Sequence, residues 1–211
     1  YIGLNEPKVN AMNRRTLLLS AAALALAGGA AQAQQLSLNE VSAYLNQLQT
    51  AQGGFTQING DGTLSTGQIY IKRPGRIRFE YNAPDNSLVM AGGGQVAVFD
   101  PKSNTPADRY PLNQTPLNII LERNVDLGRA RMVTGHTSDG TSTTITAQDP
   151  DHPEYGNIQL VFTANPVELR QWIVTDDVGE QTTVILNDLT KGGSIGDIQF
   201  NIQNEMRKRG Q

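Results

Sequence analysis

Hydrophobic positions along this chain repeat with two different periods. Leu38, Val41, Leu45 and Leu48 recur at three- and four-residue spacing, which predicts one amphipathic helix. Ser37 stands before it as an N-cap, with Glu40 three residues on to complete a capping box, and Gly53-Gly54 is read as its stop. From Phe55 onward the period becomes two. Ile69 and Ile71 alternate with Tyr70 and Lys72, and Ile77, Phe79 and Tyr81 alternate with Arg76, Arg78 and Glu80. Further strands are predicted at 87–91, 95–100, 131–137, 141–148, 157–163, 168–175 and 181–187. Turn signals separate them, among them Asp61-Gly62, Pro84-Asp85, Gly92-Gly93-Gly94, Asp139-Gly140, Asn165-Pro166 and Asp177-Val178-Gly179. Strands at this spacing with short turns describe an antiparallel meander, and no βαβ alternation argues for a nucleotide-binding sheet. One interruption stands out. Thr115 as a cap, Pro116 at the first helical position and the apolar run through Leu121 predict a short helix between two groups of strands.

Ahead of this domain lies a secretory signal: Arg14 and Arg15, an apolar stretch over 17–27, and Ala31-Gln32-Ala33 as a cleavage site. The reading divides the chain into an upstream extension (1–11), a signal peptide (12–33) and a single mature domain (34–211). The apolar stretch is too short to span a bilayer. The Arg pair also fits a twin-arginine export signal, although an ordinary basic n-region accounts for it.

Composition narrows the function. Residues 34–211 carry 14 basic and 19 acidic side chains, a balance of −5, which disfavours non-specific nucleic-acid binding. The sequence has no cysteine, so an exported domain must hold its fold by its core alone and has no thiol to carry a lipid anchor. Two histidines, His136 and His152, make a metal site of ordinary type improbable. His152 lies near Asp149 and Asp151, so a hydrolytic His–Ser arrangement is conceivable, but no G-x-S-x-G elbow supports it and 149–153 reads as a prolyl loop. Gly92-Gly93-Gly94 lacks the Lys-Ser/Thr of a phosphate-cradling loop, and Glu80 beside Arg78 reads as a surface charge pair. No cofactor and no catalytic residue is indicated. The basic end, Arg207-Lys208-Arg209, reads as a solvated terminus.

An ordered set of short segments carries a resemblance. Gly54-Phe55-Thr56-Gln57, Gly67, Ile71-Lys72-Arg73-Pro74-Gly75-Arg76, Phe79-Glu80-Tyr81 and Pro84 are followed by 94–98, Phe99-Asp100-Pro101 and Thr115-Pro116-Leu117. In order and spacing they resemble the periplasmic outer-membrane lipoprotein carrier family, LolA. The resemblance implies a mainly β fold with a few helices, an incomplete antiparallel β-barrel covered by a helical lid. It implies a monomeric periplasmic chaperone that is not an enzyme. Such a protein takes acylated lipoproteins from an inner-membrane ABC-type lipoprotein-releasing transporter and yields them to an outer-membrane lipoprotein receptor. Carried over by position, Arg73 is the lid latch, Thr115, Pro116, Leu117, Ile119, Ile120 and Leu121 form the lid helix, and Ile77, Phe79, Tyr81, Leu88, Met90 and Phe99 line the acyl cavity. For these apolar positions plain core packing demands the same pattern. A related periplasmic lipid-binding or lipoprotein-sensing module with different cargo, and an envelope scaffold with a filled core, remain alternative readings.

Overall fold

A computed structural model describes residues 34–103, 105–129 and 131–210. The predicted signal peptide, its cleavage site and the upstream extension lie outside the described residues.

The helix α1 spans Leu38–Gln47. Ser37 Oγ accepts from the Glu40 backbone N–H, and the Glu40 carboxylate accepts from the Ser37 backbone N–H at 2.8 Å. This reciprocal cap satisfies donors that the first turn leaves open. α1 ends at Gln47 rather than at the predicted glycines. Gly53 and Gly54 lie inside the first strand, where the ladder to its neighbour shifts register. A side chain on Gly53 would meet the Asn187 carbonyl oxygen at 2.9 Å, so this close passage of two backbones accounts for glycine there.

The strands are β1 (Thr50–Ile58), β2 (Leu64–Lys72), β3 (Ile77–Tyr81), β4 (Leu88–Gly92), β5 (Gln95–Phe99), β6 (Asp108–Pro111), β7 (Val133–Ser138), β8 (Ser142–Gln148), β9 (Asn157–Thr163), β10 (Glu168–Thr175) and β11 (Gln181–Lys191). They form one antiparallel sheet in the order β6-β5-β4-β3-β2-β1-β11-β10-β9-β8-β7, which does not close. The short, exposed β6 escaped the sequence reading because its four residues show no apolar alternation.

The strand count has a geometric consequence. Every adjacent pair is antiparallel, so in an eleven-stranded sheet the two edge strands, β6 and β7, point the same way. The chain therefore leaves β6 at one end of the sheet and must enter β7 at the other. The crossover, residues 112–132, has to run the length of the inner face. It contains a turn of 3-10 helix at Leu112–Gln114 and the four-residue helix α2, Asn118–Leu121. Thr115 does not cap α2. Its Oγ1 donates to the Leu112 carbonyl at 2.8 Å, and the helix begins two residues later than predicted, with no side-chain cap.

The C-terminal residues are a further correction. A 3-10 turn at Asp197–Phe200 leads into helix α3, Ile202–Lys208, capped by Asn201 and packed on the outer face of the sheet. The basic end is thus the last turn of a docked helix: Arg209 binds Glu205 at 3.0 Å and lies over the Phe99 ring, 5.0 Å from its centroid.

Candidate functional site

The inner face of the sheet is apolar from one end to the other. β1 to β5 contribute Phe55, Ile69, Ile71, Ile77, Phe79, Ala91 and Val96, and the second half adds Ile145, Leu160, Phe162, Trp172 and Val184. Phe55 meets the rings of Phe79 and Tyr81 edge-on at 5.3 and 5.1 Å, and Phe79 meets Trp172 at 6.2 Å. Tyr81 sits at the margin. Its hydroxyl donates to Gln57 Oε1 at 2.7 Å, while burial, with the Asp85 charge adding, pushes its pKa up to about 12.

Two elements cover this face. α1 presses Val41 and Leu45 onto it, Leu48 adds to them just past the helix end, and Tyr44 meets Phe162 edge-on at 5.5 Å. The crossover adds Ile119, Ile120, Leu121, Val125 and Leu127, all buried in the same cluster, with Leu117 half-buried beside them and Pro116 buried. The face is filled by this cover, so Ile77 and Phe79 are buried under it.

Polar contacts hold the crossover down. Gly75 N–H donates to the Leu121 carbonyl at 2.8 Å, and Arg73 Nη2 donates to the Glu122 carbonyl at the end of α2. Arg73 also approaches Asn46 Oδ1 at 3.5 Å. Asn46 Nδ2 donates to the Val125 carbonyl at 2.8 Å, and Val125 N–H donates back to Asn46 Oδ1 at 2.9 Å. Leu127 N–H donates to Ser42 Oγ at 3.0 Å, while Ser42 itself donates to the Leu38 carbonyl. Asn46 and Ser42 were absent from the sequence-derived site. The signal for them was an i, i+4 polar pair lying along the apolar stripe of α1.

Arg73 is only 5% exposed, yet its Nε and Nη1 have no hydrogen-bond partner among the described residues. A buried donor left unpaired costs about 1–3 kcal/mol, so the covered arrangement carries a local polar penalty at Arg73. Burial lowers the Arg73 pKa and the nearby Glu122 carboxylate opposes that shift. Glu122 is raised, by burial first and by Asp149 second, with Arg73 opposing. Glu122 and Asp149 lie on a cleft of about 160 Å³ at the edge of the crossover, which Thr115, Pro116, Ile119, Met132 and Tyr155 also line.

The predicted cavity residues do not all share a face. Ile77, Phe79 and Tyr81 belong to the inner cluster, but Leu88, Met90 and Phe99 lie on the outer face, packed with Ala97 and Ile202 and against Met206 of α3. The ladder explains the correction. Phe79 pairs with Val89 and Ile77 with Ala91, so these β4 residues share the inner face, and Leu88 and Met90 point the other way. His152 is exposed, bound to Glu154 through Nδ1 at 3.0 Å and stacked on Tyr155 at 4.7 Å. These partners describe a loop contact rather than a base poised on a nucleophile.

Comparison with known proteins agrees with this architecture. A family model described as outer membrane lipoprotein carrier protein LolA matches residues 46–203. The outer-membrane lipoprotein carrier protein of Azotobacter vinelandii is 27% identical over 197 residues, 90% of this chain and 93% of that protein. That of Chromohalobacter salexigens is 28% identical over 184 residues, covering 82% and 85%. Among solved structures, a putative outer membrane lipoprotein-sorting protein domain from Vibrio parahaemolyticus superimposes with a TM-score of 0.50 at 8% identity, covering 82% of this chain and 98% of that one, a likeness of fold.

Proposed function

This chain belongs to the LolA family of outer membrane lipoprotein carrier proteins, and on that premise we propose that it shelters the acyl chains of lipoproteins on its inner face and carries them across the periplasm. One observation carries the reading beyond the family name. The whole apolar face is hidden by α1 and a crossover whose central segment includes a helix of only four residues, tethered by a handful of hydrogen bonds.

Such a cover can be exchanged for cargo. Lifting Ile119, Ile120 and Leu121 exposes apolar surface, and acyl chains replace the contacts that these residues made. A chain of about 16 carbons gains on the order of 10 kcal/mol by burial, at about 0.8 kcal/mol per methylene. Set against the lost cover contacts, this leaves a net affinity modest enough for release. Arg73 acts as the latch, and cargo displaces the segment it holds. An inner-membrane ABC-type transporter loads the carrier and an outer-membrane receptor that binds the chains more tightly unloads it. The cycle needs no covalent step and no cofactor.

The test is to isolate the tagged protein from periplasm without detergent and weigh intact what comes with it. Acylated lipoproteins in a one-to-one complex are the expected result. A protein recovered empty, which also takes up no apolar fluorescent probe, would sink the proposal. Arg73→Leu should stall hand-over to a receptor, and a wild-type transfer rate in that variant would dismiss the latch.

A further inference from the structure

Arg73 is an unusual latch, because most of its hydrogen-bonding capacity is unused. Only Nη2 engages the protein, at the Glu122 carbonyl and, at 3.5 Å, Asn46 Oδ1. Nε and Nη1 are buried and have no partner among the described residues. A guanidinium keeps its charge and its donors at any physiological pH, so these two groups are standing donors in a buried position. Plain lid closure leaves them unmet. Together with the carrier reading, on which this inference rests, the geometry asks which oxygens they are built to meet when cargo replaces the crossover.

We infer that Arg73 is a specificity residue for uncharged carbonyl oxygens, the ester or amide groups that join acyl chains to their carrier molecule. The choice of a neutral acceptor follows from the surrounding charge. Glu122, whose own carbonyl Arg73 holds, and Asp149 line the adjoining cleft together. A carboxylate or phosphate brought to Arg73 meets that pair of acids, and an ester carbonyl does not. The carbonyls also lie where an acyl chain ends, so one residue at the margin of the apolar face fixes how deep the chain inserts. The same guanidinium then holds the lid carbonyl in the empty state and the cargo carbonyl in the loaded one, which makes lid release and cargo recognition competing uses of one group.

Three single-chain probes of equal length test this by displacement of an apolar fluorescent dye from the purified mature protein: a fatty acid methyl ester, the matching alkyl ether and the free fatty acid. The ester is expected to bind about tenfold more tightly than the ether, the size of one hydrogen bond to a charged donor, and more tightly than the carboxylate. In Arg73→Met the ester-to-ether ratio should fall to within about twofold, and Arg73→Lys should keep part of it. Equal binding of ester and ether by the wild type overturns the inference while leaving the carrier reading intact, as does an unchanged ratio in Arg73→Met or a carboxylate that binds best. Binding of none of the three overturns both. Should Arg73→Met fail to fold, the wild-type ratios decide alone.

Discussion

Asn46 on α1 and Val125 on the crossover hold each other by two hydrogen bonds, Nδ2 to the Val125 carbonyl at 2.8 Å and the Val125 N–H to Oδ1 at 2.9 Å. One side-chain amide thus stands in for a neighbouring strand and satisfies a stretch of chain with no regular structure of its own. The two elements that cover the inner face are thereby fastened to each other as well as to the sheet. Asn46→Leu should leave the sheet folded and loosen the crossover. We expect a loss of about 2 kcal/mol in stability, with amide exchange accelerated over 122–127 and unchanged in β8 and β9. Uniform acceleration would mean that Asn46 serves the whole domain.

Ser42 offers an independent check on the same fastening. Its hydroxyl accepts from Leu127 N–H and donates to the Leu38 carbonyl, so Ser42→Ala leaves the Leu127 N–H buried and unpaired. A cost of about 1–2 kcal/mol is expected. Ser42 and Asn46 hold one segment, so the double variant should cost less than the sum of the singles, as denaturant midpoints would reveal.

On the carrier proposal, the two faces of the sheet should separate binding from stability. Phe79→Ala should weaken uptake of an apolar fluorescent probe, because Phe79 lies at the centre of the inner aromatic cluster. Met90→Ala, on the outer face under α3, should cost about 2–4 kcal/mol of stability and leave probe affinity within about twofold of wild type. A Met90 variant that lost probe binding at a temperature where it is folded would contradict this assignment.

α3 is fastened by charge and by one close backbone passage. Gly92 lies against Phe200, and a side chain there would meet its carbonyl oxygen at 2.0 Å. Gly92→Val should therefore displace the C-terminal helix. Brief trypsin treatment, followed by mass analysis, should remove residues after Arg207 much faster than in wild type. Equal rates would show that the helix can shift and remain docked.

Glu205 makes that docking sensitive to acid. Burial alone would raise its carboxyl, but the hydrogen bond from Arg209 and the charges of Arg78, Arg209 and Lys208 outweigh it and leave the pKa below the ordinary value. A carboxyl lowered by folding contributes stability above its unfolded value, and that contribution is lost as pH falls through the lowered one. The Met206 methyl resonance should move toward its unfolded position in acid below the usual glutamate range, and Glu205→Gln should abolish the transition.

Much of the molecule is legible in one dimension. The capping box of α1, the period-two strands and their turns depend on neighbours a few residues apart, and local sterics and hydrogen bonding decide them. α3 was legible too, since Asn201 precedes Ile202 and Met206 at i, i+4 spacing, but a seven-residue helix gives a faint signal beside a basic terminus. The proposal that the crossover is a lid and Arg73 its latch comes from a resemblance of ordered motifs rather than from any periodicity.

The alternation in β4 and β5 specifies two sets of residues and leaves open which set faces inward. Both sets are apolar, because the inner one meets α1 and the crossover and the outer one meets α3. Only the register of β3 against β4, together with the docking of a helix more than a hundred residues away, assigns Val89 and Ala91 to the inner face and Leu88 and Met90 to the outer. The path of the crossover, the unmet donors of Arg73 and the Asn46–Val125 pair likewise arise from an odd number of strands and from contacts distant in sequence. The chain by itself determined α1, most of the strands and their apolar stripes, since those follow from local spacing, and it left β6 and α3 unread. The tertiary structure decided which stripes meet, because pairing across long separations is set by the packing of the whole sheet.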